Sequence, residues 1–157
     1  MKTLASNRSK RKKPFSFNEE LLKLTIGGGF AFWATTIVTS VLPIAAKYRA
    51  AFSNWSIFET WAGSLLMGML IGCCVSYSLL RRQARTPASD PIQKALRLSA
   101  SALIVALILV DIPMFLRGSG DALHYLLIGM LFNTIRFVFL GAAIGLLYKR
   151  LHSTEAA

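Results

Sequence analysis

The chain has 157 residues, is 54% hydrophobic and 16% charged, and carries a formal net charge of +11. Its apolar residues come in long unbroken blocks, which excludes the spaced pattern of a soluble core and leaves too few residues for a second domain. A charge this positive suggests nucleic acid in a soluble protein, but here the cations follow the ends of the apolar blocks and so read as topology signals.

Four blocks, at about 24–46, 57–80, 96–116 and 125–148, are each long enough for a helix to cross a hydrocarbon core roughly 30 Å thick. The expected fold is therefore all-α: an integral membrane bundle of four transmembrane helices over about 21–46, 57–80, 92–116 and 122–149. The domain organisation is a basic tail (1–18), a four-helix domain (19–150) and a short second tail (151–157).

The first tail is polar and contains the run Lys10, Arg11, Lys12 and Lys13 with no acid nearby. Such a run suits anionic lipid headgroups, at roughly 1 kcal/mol per cation near the surface, or a partner subunit. Nucleic acid is not expected, because no aromatic residues interleave with these cations. Ser16 and Glu19 have the spacing of a capping box and start the first helix. About eighteen polar residues precede its long apolar core, so it reads as a retained span rather than a secretory leader. Gly27, Gly28 and Gly29 allow a second backbone to come close, and Pro43 marks the approach of the helix end.

The connector from Lys47 to Ser56 holds Tyr48 and Trp55, with Trp61 just beyond, rings suited to a membrane boundary. Ser56 and Glu59 repeat the capping-box spacing and begin the second span, which makes Glu59 a helix-start residue and only a secondary solute ligand. Ser64, Gly68, Gly72 and Ser76 recur every four residues along that span and form a stripe for close helix packing. Gly141 and Gly145 do the same on the fourth span. Cys73 and Cys74 are adjacent, an arrangement that gives no disulfide framework and no metal set.

The next connector carries Arg81, Arg82, Arg85, Lys94 and Arg97. Within it Asp90 followed by Pro91 reads as an N-cap and first helical residue, with one surface turn before the chain turns inward. Gly118, Gly120 and Asp121 then stop the third helix and cap the fourth, giving a tight antiparallel hairpin. Of eighteen Lys and Arg residues, fourteen lie on the side of the two tails and this middle connector. The positive-inside bias therefore puts both termini in the cytoplasm, in a membrane of the prokaryotic inner type.

Two ionisable residues fall inside the spans: Asp111 and Arg136. Either alone costs near +2.5 to +3.5 kcal/mol at a helix centre, so they are expected to face inward and find each other. At 1.5 Å per residue they differ in depth by about 8 Å, which an extended arginine can largely span. Asn133, one turn from Arg136, is placed to satisfy what an Asp111–Arg136 ion pair leaves open. The locus reads first as a lock between two helices and second as a binding or proton-relay site.

No motif for covalent or hydrolytic chemistry occurs, and no cofactor or metal is expected from His124 or His152, each isolated in sequence. An enzyme is the least supported class. The leading expectation is an accessory or scaffolding subunit of a larger membrane complex. Alternatives are a homo-oligomeric transporter or channel using Asp111, Arg136 and Asn133, and a lipid-interacting protein acting through its basic tail.

Overall fold

The computed structural model describes residues 17–52, 56–86, 90–117 and 122–153. All of the regular structure among them is helical: α1 (Phe17–Ser40), α2 (Pro43–Phe52), α3 (Ile57–Arg85), α4 (Pro91–Ala106), a π-helical turn (Leu107–Asp111), α5 (Ile112–Arg117) and α6 (Ala122–Ser153). Four of these stretches, Phe17–Ser40, Ile57–Arg85, Pro91–Asp111 and Leu123–Ser153, are long and apolar enough to cross a membrane. The basic run Lys10 to Lys13, the cap at Ser16, Trp55 and the residues Gly118, Gly120 and Asp121 lie outside the described residues.

The first span does not continue to residue 46. It ends at Ser40, turns at Val41 and Leu42, and restarts as α2 at Pro43. Proline has no amide hydrogen to give Thr39, its ring crowds that carbonyl, and it disfavours helical geometry at Leu42. Leu42 N–H instead closes a tight turn on the Thr39 carbonyl at 3.2 Å. The break lets α2 lie against the start of α6, where Ala45 packs with Ile128 and Phe132. Residues 47–52, expected as connector, are therefore helical.

The third span differs too. It runs as one α-helix from Pro91 to Ala106 and then widens into the π-turn. There Ile112 N–H reaches the Leu107 carbonyl, five residues back. Pro113 offers a cause: it cannot donate to Leu109, and its ring pushes on the turn before it.

The caps at the remaining helix starts follow the local sequence. Glu59 N–H donates to Ser56 Oγ at 3.2 Å and Ser56 N–H to Glu59 Oε2 at 2.7 Å, a complete capping box. Ile92 N–H donates to Asp90 Oδ1 at 3.3 Å, with Pro91 at the first helical position. Most hydroxyls inside the helices bond their own backbone, as Thr36 does to Phe32 at 3.0 Å and Thr39 to Thr35 at 2.8 Å.

α1 and α6 form the middle of the bundle: α1 packs on α3 and α6, and α4 packs mainly on α6. The core between them holds Leu24, Phe32, Val75, Leu79, Leu98, Phe137, Leu140 and Ile144. In lipid, apolar residues gain nothing by leaving hydrocarbon, so fit at close range has to hold the helices together. Gly68 and Gly72 supply it on α3: a Cβ at Gly68 would lie 2.9 Å from the Gly29 carbonyl oxygen, and one at Gly72 would lie 3.1 Å from that of Thr25. Of the same stripe, Ser76 is fully buried and Ser64 Oγ donates to the Trp61 carbonyl at 2.9 Å. On α6, a Cβ at Gly141 would meet Ser99 Oγ at 2.5 Å and one at Gly145 would meet Ile92 Cα at 2.7 Å, so this pair seats α4.

Contacts at the two ends of the bundle fix its up-and-down course. At one end Phe17 meets Tyr77 edge-on, with ring centroids 6.1 Å apart, and Glu20 Oε1 lies 3.4 Å from His152 Nε2. The first and last described helices thus begin and finish at the same end. At the other, Trp61 Nε1 donates to Ser40 Oγ at 2.9 Å. His152 is therefore not isolated, contrary to what its sequence neighbourhood suggests: α6 runs on to Ser153, and the His152 ring stacks on that of Tyr148 with centroids 4.1 Å apart.

Candidate polar site within the bundle

The π-turn and α6 together build the one locus where both intramembrane charges meet. Asp111 closes the π-turn and is 6% exposed. Asn133 and Arg136 are three residues apart on α6 and half-buried, on the face between the buried rings of Phe132 and Phe137. Phe137 is itself fixed edge-on against Phe32 of α1, with centroids 5.7 Å apart.

The geometry runs through the amide. Asn133 Nδ2 donates to Asp111 Oδ2 at 2.9 Å, and Arg136 Nη1 donates to Asn133 Oδ1 at 3.3 Å. Asparagine was expected as an auxiliary to an Asp111–Arg136 ion pair; in the structure it is the middle of a relay. The chemistry suits that place, because a carboxylate only accepts, a guanidinium only donates, and a primary amide does both. One orientation of the amide serves both neighbours. The relay also removes the need for the arginine to bridge the whole depth difference that separates it from Asp111.

The arrangement can do two things chemically. It offsets much of the cost of carrying two charges in a low-dielectric bundle, and it couples the position of the π-turn to α6. A carboxylate has further lone pairs and a guanidinium further donors, so the same groups have capacity for a small polar ligand. Among the described residues no group of three His, Cys, Asp or Glu side chains is placed to hold a metal ion. Glu59 is held in its capping box, far along the chain from this locus, and does not join it. Cys73 and Cys74 are free thiols on the outer surface of α3.

Three contacts had no local signature in the sequence: Trp61 to Ser40, His152 to Glu20, and Lys94 to the end of α3. Each joins residues from different helices, so no periodicity or spacing marks them. The π-turn did have a signal, Pro113 two residues after an intramembrane acid.

No family model, curated protein or solved structure matches this chain. What stands is the architecture: an all-helical protein with four helices long and apolar enough to span a membrane, the form of a multi-pass integral membrane protein.

Proposed function

We propose that this protein is a non-catalytic accessory or scaffolding subunit of a larger membrane assembly, with both termini in the cytoplasm of a prokaryotic-type cell and its basic end on the anionic leaflet. The observation that carries the reading is the hydrogen-bonded line from Asp111 through Asn133 to Arg136. The buried acid is bonded to the amide of another helix of the same bundle, with the arginine bonded behind it, the use expected of a register lock. The orientation rests on the one-sided distribution of Lys and Arg. Partners would meet the apolar outer faces of the helices, where Leu109, Leu66 and Val38 are among the most exposed large side chains.

A second reading, a small homo-oligomeric transporter, is favoured by one feature: the acid sits at the end of a π-turn, and such turns recur at functional sites. Cross-linking in native membranes followed by purification in mild detergent separates the two. A constant complex with a different membrane protein is the expected outcome. A ladder of self-complexes, together with solute flux in vesicles holding the purified chain alone, would replace the accessory role with transport.

A further inference from the structure

The end of the bundle where α3 finishes and α4 begins holds a cluster of cations that the relay does not use and the fold uses only in part. Arg82 and Arg85 from α3 and Lys94 and Arg97 from α4 line one open cavity of about 430 Å³, with Asp90 at its edge. A second cavity of about 350 Å³ adjoins it across Arg82 and Arg85 and adds Arg81, Tyr77 and Ser78.

These cations divide into two kinds. Lys94 is engaged: its Nζ donates to Gln83 Oε1 at 2.7 Å, to Thr86 Oγ1 at 3.0 Å and to the Thr86 carbonyl, which ties the start of α4 to the end of α3. The guanidinium groups of Arg82, Arg85 and Arg97 have no hydrogen bond or acid partner among the described residues. The acid nearest to them in the cavity lining, Asp90, is committed to the Ile92 amide as a helix cap. Lys94 thus holds in place a cradle whose three arginines face a common space.

We infer that this α3–α4 corner is a binding site for a phosphate-bearing anion, and that its occupant is the phosphomonoester headgroup of a membrane lipid. A topology signal needs only positive charge, in any geometry. This corner offers more: forked donors from two helices around a cavity, which match the bidentate recognition that phosphate receives from arginine and not from lysine. It also lies at the ends of two spans, at the depth where headgroups sit, and beside Tyr77, a ring suited to that boundary.

The test uses the full chain in phosphatidylcholine nanodiscs, titrated with dihexanoyl phosphatidic acid and, separately, with inorganic pyrophosphate, with thermal shift and native mass spectrometry as readouts. The variant is Arg82→Lys/Arg85→Lys/Arg97→Lys, which keeps every charge and so keeps the topology signal. Saturable phosphatidate binding that weakens about tenfold in the triple variant is the expected result. Arg97→Lys alone, on an exposed position of α4, is expected to weaken it about threefold and serves if the triple variant does not fold. Pyrophosphate binding as tight as phosphatidate, and lost in the same variants, would uphold the phosphate cradle and overturn its assignment to lipid. Equal binding by native and lysine forms, or no saturable binding of either probe, overturns the site.

Discussion

The two halves of the bundle are held by different means. On one side α1 meets α3 through glycines, with backbone close to backbone and uninterrupted helical hydrogen bonding; on the other, α4 and its π-turn meet α6 through two glycines and a polar relay. The apolar window of Pro91–Asp111 is 17% buried and that of Leu123–Ser153 is 39% buried. A helix with so little of its surface covered gains less from close packing than its neighbours. The relay is where specific attraction has to make up the difference, because lipid supplies no hydrophobic force between helices. Both halves are therefore intolerant of volume at their glycines, and the polar half is intolerant of unpaired charge as well.

The largest effect is expected from volume added to the glycine half. Gly68→Leu would drive a side chain into the Gly29 carbonyl, which belongs to backbone and cannot swing aside. A loss of about 3 kcal/mol or more, at the top of the range for overpacking, should appear as failure to recover monodisperse protein from mild detergent. Gly27→Ala sharpens the point, since the atom it meets is the far end of the Leu147 side chain, and its recovery should stay close to native.

Asp111→Ala comes next. It leaves Asn133 and Arg136 facing an empty position, and the expected cost is about 2 kcal/mol, between the mean for interhelical hydrogen bonds in membranes and that for a broken buried pair. A half-buried arginine can re-aim toward headgroups, which keeps the figure from rising further. Asp111→Leu combined with Arg136→Leu should recover most of that loss in thermal stability, because it removes both charges at once. Trp61→Phe is the smallest, about 0.6 kcal/mol for one interhelical hydrogen bond to Ser40, read as a modest drop in the melting midpoint.

What could be read in the sequence divides along the same line. The cap at Asp90 and the box at Ser56 are local properties, set by residues within a few positions of one another, and they appear in the structure where the sequence put them; the four spans appear too, though not all with the expected ends. Breaks were harder to place. Pro43 was visible, but hydropathy runs on through it to Ala46, so the apolar block hid the turn at residues 41–42. Asp111, Asn133 and Arg136 stood out by their cost alone, while the order of contact among them depends on the π-turn, which rotates the acid relative to a regular helix. The arginine corner was legible only as a count of charges: its cavity lies where Lys94 ties α4 to α3 across an eleven-residue separation from Gln83.

The central claim is that Asn133 carries the coupling between the two intramembrane charges. A double-mutant cycle of Asp111→Ala and Arg136→Ala, measured as unfolding free energy in detergent and repeated in an Asn133→Leu background, addresses it directly. The account predicts a coupling of about 1 kcal/mol with Asn133 present and close to zero without it. Coupling that survives undiminished in the leucine background, or that is absent in the native one, would contradict it.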